Sequence, residues 1–598
     1  MKHGRILQVL GVVLALGGTS WAQVTRRVSV SSAGAQSDSW SDFSSISVDG
    51  SLVTFRSFAS NLVAGDTNGF RDVFCRGVFD GQTVIASVAS DESPGNQASG
   101  PQSASADGRY VAFSSSANNL VPGDTNGGDD IFVRDVIAGT TTRISVSSGG
   151  VQGNGNSISA AISADGNYVA YRSSSTNLVF GDSNGTDDIF VTNRLTGVTE
   201  RVSLGENGVQ ANSTSDYPSI SADGRYVAFE SGADNLIGAH NDTNQAFDIF
   251  RRDRIMGVTV IMSVGSGNGQ GNGHSLFPSI SADGDAVAFA SAASNLVGSD
   301  TNGVADVFVH TQATPSTRIV SVSSSQILGN GASGAPSLSA DGKYVAFESV
   351  AANLVPGDTN GVQDVFVRDL LLATTERASL GSSGAEGDAR SSWPSISGDG
   401  RFVAFESDAT NLVAGDTNGL TDIFVRDRDT TGFTSVCHPG LEGVQLCPCS
   451  NQPSPADRGC DNSSGTGGAL LSASGTSYLS MDSLVFTTSG ERPTAFSIVL
   501  QGDSFVPAGV IYGQGLRCAG GSLKRLYSKH ASGGSITAPN LGAGDPTVSA
   551  RSAAMGDAIQ PGESRWYLVY YRDPIVLGGC SANSTFNATQ TGQVTWLP

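Results

Sequence analysis

Ser221-Ala222-Asp223-Gly224-Arg225-Tyr226-Val227-Ala228-Phe229-Glu230-Ser231 decides the fold of this chain. Asp-Gly supplies a tight turn, because Asp bonds its own backbone and Gly accepts positive φ. The aromatic and aliphatic residues that follow suit a pleated, half-buried strand. Working outward, 218–221 reads as a first strand, 225–231 as a second and 248–251 as a third. A turn at Gly257 then leads into a fourth strand over 258–262. The same Asp-Gly step returns at Asp49, Asp107, Asp165, Asp283, Asp341 and Asp399, spaced by 58 residues except for 60 between Asp223 and Asp283. Seven such units fill residues 24–436.

Four short antiparallel strands repeated seven times predict a β-propeller, in which ring closure leaves no long open edge. The structural competitor, a β-solenoid, uses much shorter repeats. Fourth-type strands number eight for seven units, at 26–31 before the first unit and 433–436 after the last. The N-terminal one is expected to complete the seventh blade and tie the ring shut.

Composition agrees. The 598 residues, with 76 glycines and 15% charged, exclude a coiled coil and a disordered tail, leaving a loop-rich all-β protein of more than one domain. A formal net charge of −21 repels a phosphate backbone, so nucleic acid is not an expected partner, and divalent cations are natural counterions. Lys2, His3 and Arg5, the apolar run 6–16 and Ser20-Trp21-Ala22 form a signal-peptide pattern over 1–22. No later stretch is long and apolar enough to span a bilayer. The expectation is an exported, monomeric protein, secreted, periplasmic or at the cell surface.

At 437 the repeat stops. Cys437, Cys447, Cys449, Cys460, Cys518 and Cys580 lie beyond it, whereas Cys75 stands alone on a third strand where other units have Val. Six cysteines in an exported module imply disulfides, whose pairing the sequence leaves open. Strand-like runs at 483–487, 495–500, 510–512 and 566–571 predict a β-sandwich-like domain over 437–598.

The Ser-x-Asp-Gly turn followed by Val-Ala-Phe, as at 221–231, resembles the TolB-type (PD40, WD40-like) propeller repeat. The resemblance covers all seven units and implies a scaffold, a partner-binding platform or an accessory domain, not one activity. These units exceed the usual forty-odd residues, and the excess lies in two loops. The cysteine-bearing C-terminal region resembles a module ending many secreted bacterial proteins.

The second-to-third and blade-to-blade connections are the long ones and emerge on one face, where function is expected. The former carries Asn-Leu-Val-x-Gly-Asp-Thr-Asn-Gly-x-x-Asp. Its polar triads are Asp66, Asn68, Asp72; Asp124, Asn126, Asp130; Asp182, Asn184, Asp188; Asp242, Asn244, Asp248; Asp300, Asn302, Asp306; Asp358, Asn360, Asp364; and Asp416, Asn418, Asp422. Two readings stay open: a weak calcium loop, short of side-chain ligands, or turn chemistry in which Asp and Asn cap backbone N–H groups. No cofactor is required on either reading beyond calcium.

Six residues before the Asp-Gly stand Phe43, Tyr217, Phe277 and Trp393, at the expected channel rim, either packing between blades or stacking on a ligand. The first strands, read as Ser-Ile-Ser or similar, carry no Asp, Glu or His, which argues against catalysis in the channel. Histidines recur at no equivalent position, and Gly181-Asp182-Ser183-Asn184-Gly185 matches a nucleophile elbow only by formula. The reading is therefore a non-catalytic binding protein with a protein or glycan ligand on the long-loop face. The alternative is an extracellular hydrolase of polysaccharide or peptide with carboxylates on those loops.

Overall fold

A computed structural model describes residues 24–596 apart from 79–80, 239–241, 429–432, 441–443, 455–457, 475–476, 478, 480–481, 483, 561–562 and 576–584. The expected signal peptide 1–22, Cys580, and part of the divergent fourth loop lie outside the described residues. The described residues form two compact units, the first over 24–428 and the second beyond it.

The first unit consists of seven four-stranded antiparallel sheets. Blade 4 shows the pattern: Ser215–Ile220, Tyr226–Ser231, Asp248–Asp253 and Val258–Ile261 pair in that order. Blades 1, 2 and 3 begin at Ser41–Ile46, Ser99–Ala104 and Ser157–Ile162, and blades 5 and 6 at Ser275–Ile280 and Ser333–Leu338. Blade 7 takes three strands from Ser391–Ile396, Phe402–Ser407 and Asp422–Asp427, and its fourth from Val24–Arg27 at the N-terminus. Each first strand touches the first strands of both neighbours, so these seven strands enclose the axis.

Burial explains the repeat. In every blade an aromatic on the second strand pairs in register with a Phe on the third, as Phe229 does with Phe250, and the rings stack 5.8–6.1 Å apart. Each pair packs with aliphatic side chains of the preceding blade, as Phe55 and Phe74 do with Ala404, Ile423 and Val425. A fully buried Phe contributes about 1.5–3 kcal/mol, so the interfaces between blades are the core. Cys75 is a member of one, 1% exposed, with burial pushing its thiol up to about 12.

Blades are also linked by backbone. Ala106 N–H donates to Ala164, Ala164 to Ala222, Ala222 to Ala282, Ala282 to Ala340, Asp341 to Gly398, Gly398 to Val48 and Asp49 to Ala106. This belt runs round the axis at the Asp-Gly turns. At about 4.8 Å per hydrogen-bonded step, seven steps leave a backbone radius of about 5 Å, before side chains narrow it further. A Cβ on Gly398 would lie 2.4 Å from Val48 Cγ1, a measure of how tightly this end is drawn in.

In the second unit, Phe433–Cys437, Thr591–Thr595, Ser564–Arg572, Phe496–Gly502 and Lys524–His530 form one sheet in that order, with Phe586–Ala588 on Ser564–Arg572. A three-stranded sheet of Leu470–Ser474, Val485–Ser489 and Thr537–Ala538 covers one face through Leu471 and Phe486 against Tyr567, Val569 and Trp596. The hairpin Ser504–Tyr512 and Gly515–Gly520 packs on the other through Tyr512 and Ala519. Cys437 bonds Cys518 and Cys447 bonds Cys460, and Cys449 is oxidised as well. The expected boundary at 436 moves to 428, because Phe433–Cys437 is not an outer blade strand but an edge strand here.

Candidate functional site

The long-loop triads are assembled from the loop inward. The last Asp of each (Asp72, Asp130, Asp188, Asp248, Asp306, Asp364 and Asp422) is 0% exposed. One oxygen accepts a Ser hydroxyl from the chain following the fourth strand, Ser87 for Asp72 and Ser263 for Asp248. The other accepts the Asn Nδ2 of the same loop at 2.6–3.3 Å. The Asn Oδ1 in turn accepts the N–H two residues on, at 2.8–3.4 Å. That is the Asx-turn chemistry of the sequence reading.

The cation beside these carboxylates is supplied by the chain in four blades. Arg143, Arg201, Arg377 and Arg27 each reach both aspartates of their loop, at 2.9–3.6 Å. In those blades a guanidinium lies beside both carboxylates of the calcium reading, Asp124 with Asp130, Asp182 with Asp188, Asp358 with Asp364 and Asp416 with Asp422. Register places Ile85, Ile261 and Ile319 at the Arg position in blades 1, 4 and 5. There burial pushes Asp72 and Asp248 up to about 6, because no guanidinium offsets their desolvation. Among the described residues no group of three or more His, Cys, Asp or Glu converges as a metal site.

The channel mouth on the long-loop side is built differently. Every first strand carries a β-bulge, after its second residue in six blades, as between Asp42 and Ser45 in blade 1, and between Ser99 and Gln102 in blade 2. The bulge residues Phe43, Ser159, Tyr217, Phe277, Ala335 and Trp393 all have positive φ, 43–57°. For a ring side chain that conformation is costly, about 1–3 kcal/mol, and strain of this kind concentrates where it serves function. Phe43 stacks on Trp393 at 4.8 Å, Trp393 meets Phe277 edge-on at 5.6 Å, and Phe277 meets Tyr217 at 5.0 Å. Phe277 and Trp393 belong to blades that are not neighbours, so these rings project inward and meet across the axis beyond Ala335. Tyr217 remains 39% exposed. The four rim aromatics form one continuous arc, open at one end.

Charged groups stand behind the arc. Glu230, Glu348 and Glu406, one residue before the last Ser of their second strands, accept the N–H of Phe277, Trp393 and Phe43 in the next blade at 2.8, 2.9 and 3.0 Å. Burial raises all three, Glu230 to about 7. The same column holds Arg56, which binds Asp42 through two bonds of 2.8 and 2.9 Å and lies 4.0 Å from the Phe43 ring. It also holds Arg172, which pairs with Asp187 and Asp216.

The reading that the first strands carry no Asp, Glu or His is therefore corrected in blades 1 and 4. The first strand begins at Ser41 or Ser215, earlier than the Ser-Ile-Ser segment, and brings Asp42 and Asp216 with it. A column-by-column comparison of the seven repeats exposes the missed groups. Arg56, Ser114, Arg172, Glu230, Ala290, Glu348 and Glu406 occupy one position, while the Ser that follows is invariant. Histidines take structural places: His310 is 1% exposed and bonds Thr317, and His274 Nδ1 accepts the Phe247 N–H.

No protein-family model matches this chain, and no curated protein sequence is similar to it. Among solved structures, the TolB of Agrobacterium tumefaciens, itself a putative assignment, is 17% identical, with 47% of this chain and 80% of that one covered and a TM-score of 0.30. An oligogalacturonate lyase in complex with manganese is 12% identical over 68% and 94%, with a TM-score of 0.42. A prolyl endopeptidase is 11% identical over 78% and 56%, with a TM-score of 0.39. Scores this low carry no argument about function. The chain is a seven-bladed β-propeller on the strength of its own sheets, joined in sequence to a disulfide-bonded β unit.

Proposed function

We propose that this protein is an exported binding protein whose propeller takes a ligand at the long-loop mouth of the channel. The observation that carries this reading is the arc Tyr217–Phe277–Trp393–Phe43: ring side chains held at positive φ, touching one another across the axis and left partly open. Rings in a mouth of this kind stack on sugars or anchor peptide side chains. The interior columns of the repeat are nearly uniform, whereas the mouth columns differ from blade to blade, as a single asymmetric site on a ring requires. Two disulfides and the N-terminal pattern at 1–22 support export. The test is a glycan and peptide binding screen on the mature chain, repeated on Trp393→Ala with Tyr217→Ala. At least tenfold weaker binding of the best ligand is expected; unchanged binding refutes the mouth as its site.

One observation favours hydrolysis as a second reading. Asp216 stands opposite Glu230 in register, and a carboxyl near 7 beside another carboxylate suits acid–base work. Turnover of a polysaccharide or peptide panel, abolished by Glu230→Gln, distinguishes it from binding alone.

A further inference from the structure

The ring arc and the carboxylates behind it point to the sign of the ligand. Glu230, Glu348 and Glu406 sit on blades 4, 6 and 7, each bonded to the backbone of an arc residue in the next blade rather than to a cation. The nearest guanidiniums are committed elsewhere, Arg172 to Asp187 and Asp216, and Arg390 to Asp408. Arg172 and Arg390 act on the three carboxyls only at long range, and no guanidinium among the described residues bonds them. The aromatic faces in front of these carboxyls carry negative quadrupole density and attract cations. One end of the arc already shows the interaction, with the Arg56 guanidinium 4.0 Å from the Phe43 ring. The other three rings, Trp393, Phe277 and Tyr217, have no cation over them among the described residues. A net charge of −21 adds long-range attraction of the same sign.

From this we infer that the mouth binds a cationic group, a protonated amine or guanidinium on a peptide, held over Trp393, Phe277 and Tyr217 with Glu230, Glu348 and Glu406 behind the rings. The inference rests on the mouth being the binding site and names the class of its ligand. A neutral sugar gains stacking there but nothing from the three carboxylates, and an acidic ligand is repelled.

The experiment is calorimetric titration of the mature protein at about 0.15 M salt, where surface attraction is screened beyond about 8 Å. The probes are hexalysine, tetramethylammonium, hexaglutamate and cellohexaose. Binding of hexalysine and tetramethylammonium is expected, at least tenfold weaker in Trp393→Leu with Tyr217→Leu and several-fold weaker in Glu348→Gln. Circular dichroism checks that each variant is folded. Failure of both cations to bind, or hexalysine binding that ignores the ring substitutions, overturns the inference. Ring-dependent binding of cellohexaose without the cations also overturns it, but leaves the mouth as the binding site. If no probe depends on the rings, both readings fall together.

Discussion

Ser29 donates its hydroxyl to the Asp422 carboxylate, joining residues 393 apart in the chain. The bond repeats what Ser87 does for Asp72 within a continuous stretch, so the N-terminal segment is the missing fourth strand of blade 7 in every detail. Thr25 bonds the Leu380 carbonyl as Thr83 bonds that of Val30, and Arg27 reaches Asp416 and Asp422. Deleting residues 24–32 removes the buried Val28 and Val30 and takes Ser29 and Arg27 from Asp422, which keeps Ser37 and Asn418. A loss of more than about 5 kcal/mol is expected. A melting curve checks this against an equal deletion from a surface loop, which is expected to cost far less.

The Arg clasps predict a contrast between blades. Asp358→Asn in blade 6 weakens the hold on Arg377, whose side chain is 4% exposed and keeps Asp364 and Glu386, and is expected to cost about 1 kcal/mol. Asp66→Asn in blade 1, where Ile85 replaces the Arg, relieves a carboxyl raised by burial and is expected to be neutral or stabilising at pH 7. Denaturant unfolding of the two variants measures the difference directly.

Calcium offers a third check. Loops binding it at about 10⁻⁴–10⁻³ M would gain about 1.4–2.7 kcal/mol per site at 10 mM. With guanidiniums already in four of the seven loops, no such gain is expected there. Any rise in the melting temperature of the mature protein between chelator and 10 mM calcium is expected to be the same in Asp124→Asn and Asp182→Asn variants, and a rise that these substitutions remove contradicts this account of the clasps.

The groups that burial raises should make stability fall as pH rises from about 4 to about 7. Glu230 goes from an ordinary 4.5 to about 7 in the fold, and Asp72 and Asp248 from 3.8 to about 6. Each binds its proton more tightly when folded, so its contribution is complete below the unfolded value and is lost as pH passes the folded one. Glu230→Gln is expected to flatten the decline between about pH 4.5 and 7 in unfolding measurements.

Much of this architecture was legible because its signals are local. The Asp-Gly step, the Val-Ala-Phe strand and the Asp-x-Asn-Gly turn each act within a few residues, and seven copies made the period plain. The count of eight fourth-type strands identified the closing one, although Phe433–Cys437 proved to serve the other unit. What was hidden depends on closure. Arg201 lies thirteen residues beyond Asp188 on another strand, and only blade pairing brings it to the carboxylates that read as calcium ligands. Glu230 is attached to Phe277 through a contact between blades that no spacing within one repeat reveals.

The most direct test of ligand binding at the channel mouth is hydrogen exchange of the mature protein with and without saturating hexalysine. Protection is expected in the first strands at 41–46, 215–220, 275–280 and 391–396 and in the second strands bearing Glu230, Glu348 and Glu406. Protection confined to 433–596, or to the Asp-Gly turns, would contradict it.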